Sequence, residues 1–211
     1  MGIVVAFVSQ KGGVGKSTLA RAMAREAAVS GLSVKLADLD MQQGTSLDWQ
    51  RARLSSGIEP MVSVEPFGNA AQAIKAATAY DLLIIDGPAR TSAGTLEIAK
   101  AASLVVQPSG PSLDDLRPAV REFHALVKAG VPPDRLTFAL NHIGTEAEEL
   151  DARTFLEEAG YFVLSGYLPE RPAYRRAQNG GHAVTETKFA ALNARADALM
   201  QALVEKVNSD G

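Results

Sequence analysis

The sequence predicts an α/β fold: a doubly wound, mostly parallel sheet with helices on both faces. Three observations predict it. Short runs such as Leu82 to Ile85, Ser103 to Gln107 and Leu136 to Asn141 are almost continuously apolar, as strands buried on both faces require. Segments of helical pattern separate these runs along the chain. A glycine-rich loop, Lys11 to Thr18, lies between the first apolar run and the first helical one.

Taken in order, Ile3 to Ser9 reads as the first strand and Ser17 to Ser30 as a helix that Gly31 stops. Val34 to Asp38 is a second strand and Leu47 to Leu54 a helix. Met61 to Val64 reads as a strand and Asn69 to Ala79 as an alanine-rich helix. After the strand at Leu82 and the run from Ser103, helices are expected at Asp114 to Ala129 and Glu148 to Ala159. Phe162 to Leu168 is the last strand candidate and Thr187 to Val207 a long closing helix. No linker, repeat or low-complexity tract interrupts this pattern, so residues 1–211 read as one domain.

Composition narrows the chemistry. The chain of 211 residues is 46% hydrophobic and 21% charged, ordinary for a water-soluble globular protein. It contains no cysteine, which excludes disulfides, thiolate metal sites, a cysteine nucleophile and an iron–sulfur cluster held by this chain. No apolar run is long enough for a membrane-spanning helix, and the start of the chain lacks the pattern of a cleaved leader. Net charge is −3, so any attraction to nucleic acid must come from a local basic patch.

The loop Lys11-Gly12-Gly13-Val14-Gly15-Lys16-Ser17-Thr18 has what phosphate binding needs. Its glycines let the backbone curl so that N–H groups converge, and a helix begins within it. Lys16 is placed to reach the outer phosphates, and the Ser17 hydroxyl to ligate Mg²⁺. The generic pattern has glycine where Gln10 stands, and the loop carries an additional lysine, Lys11. Leu82-Leu83-Ile84-Ile85-Asp86 is an apolar strand ending in an acid, the Walker B arrangement, in which Asp86 holds Mg²⁺. Asp38 and Asp40 fall on one side of a strand end, one to orient an attacking water and the other to brace the loop.

Together these segments resemble the ParA/MinD family of deviant Walker A ATPases. Lys11 to Thr18 has the family's signature form, including the second lysine. Asp38-Leu39-Asp40-Met41-Gln42 is similar to its second motif, with Met41 where proline is usual. Tyr80 to Pro88 is similar to its Walker B segment, and Gln107 to Ser112 with Asp114-Asp115 to its proline-rich segment. Arg171-Pro172-Ala173-Tyr174, with Ala177, Gly181, Val184 and Glu186, resembles its C-terminal segment. The chain looks most like the small ParA-type partition proteins. Its first strand begins at Ile3, and its end lacks the basic amphipathic helix of MinD-like members, so neither operator binding nor membrane attachment is expected.

The resemblance implies a cytoplasmic ATPase that pairs with a second copy when ATP is bound. Gly12, Gly13, Val14, Gly15, Lys16, Ser17 and Thr18 would hold the nucleotide, Ser17 and Asp86 the Mg²⁺, and Asp40 the water. Lys11 would reach the partner's nucleotide. Asn141 is a candidate adenine contact or else a turn residue. Arg171, Arg175 and Arg176 form a candidate patch for non-specific DNA, or else a solvated helix start. Implied partners are a second copy, nucleoid DNA, and a ParB-type centromere-binding or cargo adaptor. Close alternatives are a sibling that positions protein cargo on the nucleoid and a MinD-like membrane switch; a metabolic P-loop enzyme is a further one. The histidines His124, His142 and His182 lack metal-ligand spacing and read as surface or packing residues, as Trp49 does for packing.

Overall fold

The structure is a computed structural model that describes residues 2–40, 44–88 and 93–209. The strands are β1 (Ile3–Phe7), β2 (Val34–Asp38), β3 (Ser63–Pro66), β4 (Leu82–Asp86), β5 (Leu104–Ser109), β6 (Leu136–Leu140) and β7 (Phe162–Val163). The helices are α1 (Lys16–Val29), α2 (Thr45–Ser55), α3 (Ala70–Ala76), α4 (Ala93–Ala101), α5 (Leu113–Lys128), α6 (Glu146–Glu158), α7 (Pro172–Asn179) and α8 (Ala190–Ser209).

The strands form one parallel seven-stranded sheet in the order β3-β2-β4-β1-β5-β6-β7. β1 lies between β4 and β5, and the chain winds outward from it on both sides. That makes the C-terminal end of β1 the place where the winding reverses, which is where open α/β sheets leave a crevice. The loop that follows β1 occupies this position.

Alternation along each strand feeds two cores. Val5, Phe7, Ile84 and Val106 point to the face covered by α1 and α8, where they meet Leu19, Met23, Leu199 and Leu203. Val4, Ala6, Ile85 and Val105 point to the other face, where Ala73, Ile98, Phe123 and Leu156 cover them. Each large apolar side chain buried this way contributes about 1.5–3 kcal/mol. This two-sided burial is why the strand segments read as continuous apolar runs rather than alternating ones.

The observed elements depart from the sequence expectations most at β7, β3 and α4. β7 stops at Val163 instead of continuing to Leu168, because Gly166 turns the chain at φ 78°. The segment returns to the sheet only as a bridge between Ile143 and Pro169. β3 runs from Ser63 to Pro66, later than expected. Helix α4, with Gly94 in its first turn, was not legible as a helix. Helix α7 starts with Pro172 at its first position, so Arg175 and Arg176 do stand just past a helix start. Pro108 is tolerated within β5 because pairing with β1 ends at Val106.

Candidate functional site: a phosphate loop braced from a distant strand

The loop leaves β1 and turns into α1 through left-handed backbone at Gly13 (φ 80°) and Gly15 (φ 108°). Gly15 caps α1, and its carbonyl accepts the first helical bond from Leu19 N–H at 3.0 Å. A side chain at Gly15 would collide with the amide of Asn141. That amide is buried and donates to the Val14 carbonyl at 2.8 Å. The next residue, His142, has its ring Nε2 3.1 Å from the Gly13 carbonyl. A carbonyl only accepts, so Nε2 carries the proton. His142 adopts φ 58°, the left-handed region, which costs on the order of 1 kcal/mol for a non-glycine residue. The end of β6 thus fastens two consecutive loop carbonyls and turns them away from the loop's concave side.

The loop's base is held from the other direction. Gln10 N–H donates at 3.0 Å to a carboxylate oxygen of Glu122, which also takes a bond from Gln107 Nε2 at 2.9 Å. Glu122 is buried on α5 and was not anticipated from sequence. Gln10, where the generic pattern has glycine, contributes here through its backbone.

The concave side of the loop opens on a cavity of about 260 Å³ lined by Gly12, Gly13, Gly15, Lys16, Ser17, Thr18, Arg21, Asp40, Thr45 and Gly87. Lys16 is buried beneath it; burial lowers its pKa from the ordinary value, and the fields of Asp86, Asp40 and Glu122 act against that shift. Asp86 sits at the end of β4. Burial pushes its carboxyl up to about 6, while the Ser17 and Ser46 hydroxyls pull in the opposite direction. Ser46 Oγ donates to Asp86 Oδ2 at 2.8 Å, and Asp86 Oδ1 is buried with no hydrogen-bond partner among the described residues. The hydroxyls of Ser17 and Thr45 are 3.2 Å apart beside it. An orphaned carboxylate oxygen next to two hydroxyls is a donor set that suits Mg²⁺, which prefers oxygen ligands.

Asp38 and Asp40 are placed differently. Asp38 is buried, accepting from Asp40 N–H and Ser46 N–H, each at 3.0 Å. It therefore braces the turn into α2. Asp40 lines the cavity. Met41 and Gln42 of the same motif lie outside the described residues. Arg21 also reaches the cavity, with its Nε 3.2 Å from Ser46 Oγ and its guanidinium over the Trp49 ring. Trp49 is buried, as expected of a packing residue.

Lys11 points elsewhere. Its ammonium pairs with Asp115 at the start of α5, and about half of its side chain (48%) is exposed. The loop thus carries one lysine turned inward and one on its outer rim. A second cavity of about 230 Å³ adjoins the loop between Asn141, His142, Leu168, Pro169, Arg171 and Arg175. Arg171 and Arg175 border this cavity, whereas Arg176, one residue along α7, does not line it. Arg175 also contacts Glu170, at 3.5 Å.

Sheet order, loop geometry and the acid at the end of β4 define a P-loop nucleotide-binding fold. Residues 5–184 match the profile of the CobQ/CobB/MinD/ParA nucleotide-binding domain, CbiA. The chain belongs to that family. No match is found among curated proteins. The fold is similar to MinD of Pyrococcus horikoshii complexed with Mg-ADP (TM-score 0.77, 16% identity, 100% of this chain and 99% of that one). It is also similar to an ATP complex of a Cyanothece McdA variant (0.73, 15%, 96% and 96%). A putative plasmid partition protein of Borrelia burgdorferi bound to AMPPNP has the same fold (0.73, 14%, 98% and 100%).

Proposed function

We propose that this chain is a ParA-type ATPase that partitions DNA, pairing with a second copy when ATP is bound and resetting by hydrolysis. The observation that carries the proposal is the division of labour between the two lysines. Lys16 is enclosed with the cavity, where a cation stabilises charge on transferring phosphate oxygens. Lys11 stands outside on the exposed rim, which supports a role at the nucleotide of a second copy.

In this reading loop N–H groups and Lys16 orient the triphosphate, and the second cavity takes the nucleoside. Asn141 supports that cavity by holding Val14 as well as bordering it. Ser17 and Asp86, with Thr45 beside them, would hold Mg²⁺, which when bound neutralises charge on the phosphate oxygens. Asp40 positions the attacking water, while Asp38 keeps the turn carrying Asp40 in place. The partner's Lys11 adds positive charge as negative charge builds, much as an arginine finger does. Arg171, Arg175 and Arg176 are exposed and form the proposed contact with DNA phosphates, doubled in a dimer. A ParB-type or cargo adaptor stimulates turnover, and what that adaptor binds decides between DNA partition and positioning of protein cargo.

The test is particle size and DNA retention measured with ATP, ADP and no nucleotide. ATP-specific dimers that retain arbitrary DNA are expected. Lys11→Ala should keep nucleotide binding but lose those dimers; dimers undiminished in that variant would refute the role in trans. Acceptor-dependent turnover without dimers would point instead to a metabolic kinase.

A further inference from the structure

At the end of the sheet opposite the phosphate loop, the C-terminal part of α1, the starts of β1 and β4, and one side of α8 enclose a groove of about 480 Å³. Met23, Ala27, Leu82 and Met200 are buried in its floor. Ile3, Leu32 and Val204 stand on its walls, 41%, 46% and 39% exposed. Among the described residues its charged lining groups are Glu26, Asp81 and Asp197, with no lysine or arginine. The nearby cation, Arg25, is already bound to Glu26 and Glu186. Burial and then the field of Glu26 hold the Asp197 carboxyl above its ordinary value, with the field of Arg25 acting against them.

We propose that this groove docks a basic amphipathic helix of a partner protein, with apolar side chains seated on Met23, Leu82 and Met200 and lysines or arginines set against Asp197 and Asp81. Charge complementarity identifies the occupant. An acidic rim around an apolar floor favours a cationic, apolar ligand and repels anionic lipid. A second copy would bring its own acidic rim against this one. The occupant is a helix rather than an added strand because β1 and β4 are interior strands, each paired on both sides. Two methionines in the floor let it adapt to different apolar side chains. The proposal is independent of the nucleotide reading. β1 spans the distance between groove and loop, about 16 Å at the rise of a strand, so an occupant leaves the loop accessible.

The test is fluorescence anisotropy on the full chain with a labelled synthetic helix of about 16 residues, leucine at helical spacing and lysine on the flanks. Expected is a Kd of roughly 10–100 μM, at least about tenfold weaker for a scrambled peptide of the same composition and for a version with glutamate in place of lysine. Val204→Glu and Asp197→Lys, at exposed groove positions, should each weaken binding at least about fivefold, with unchanged thermal melts as the control. Lys16→Ala, which disables the phosphate loop, should leave peptide binding unchanged. Equal binding of ordered and scrambled peptides, no binding of the ordered one, or indifference to both groove variants overturns the proposal. Self-association that Val204→Glu abolishes also overturns it and assigns the groove to a second copy.

Discussion

Neutralising Asp86 should remove from the metal-free, nucleotide-free protein a loss of stability that grows with pH in a defined way. Its carboxyl lies at about 6 in the folded chain against an ordinary value of 3.8, with burial the leading cause. Between those values the folded chain holds a proton that the unfolded chain has lost. Stability therefore falls as pH rises through this window and levels off above it. At about 1.4 kcal/mol per pH unit the full effect is about 3 kcal/mol, of which about 2 kcal/mol falls between pH 4 and pH 8. Asp86→Asn removes the titration while keeping an acceptor for Ser46 Oγ, which donates to Asp86 Oδ2. The constant cost of the substitution cancels when the two proteins are compared across pH. Urea unfolding in EDTA should show the variant gaining about 2 kcal/mol on the parent chain from about pH 4 to about pH 8. A difference flat to within about 0.5 kcal/mol, or one of opposite sign, would refute the assignment of a carboxylate whose burial outweighs its polar and charged neighbours.

Other substitutions probe the remaining contacts. Gly15→Ala places a methyl against Asn141 at φ 108° and should cost about 2 kcal/mol and at least about tenfold in nucleotide affinity, read by thermal melts and titration calorimetry. Glu186 receives bonds from Arg53 at 2.6 and 3.0 Å and from Arg25 at 3.1 Å; Glu186→Ala strands the buried Arg53 and should cost about 3–5 kcal/mol in urea unfolding. Asp115→Ala should change stability by less than about 1 kcal/mol, since its pair with Lys11 is partly exposed. The same change should raise acylation of the Lys11 amine in mass-spectrometric footprinting; unchanged labelling would mean that Asp115 does not restrain the lysine.

Local signals carried much of the fold and site. The α/β class was legible because strands buried on both faces leave continuous apolar runs, and the phosphate loop because its residues are adjacent in sequence. Asp86 was legible as the acid ending such a run. Glu122, Thr45, Ser46 and His142 were not, since none belongs to a local pattern. His142 read as a surface or packing residue, and only folding sets its ring against Gly13, 129 positions earlier in the chain. The closing strand was overextended because an apolar run does not reveal where pairing ends; Gly166 ends it.

By itself, then, the sequence determined the parallel sheet, the curled loop with Lys16 at its base, and the acids at the strand ends. Each depends on residues close together in the chain, where backbone conformation and periodicity are decided. Tertiary structure alone decided that Asp38 braces while Asp40 faces the cavity, and that Asn141 and His142 fasten the loop. It also decided that Lys11 rests on Asp115 and that an acidic groove opens at the far end of the sheet. Those outcomes depend on which side chains the strand order brings within hydrogen-bonding distance, and local sequence does not encode that order.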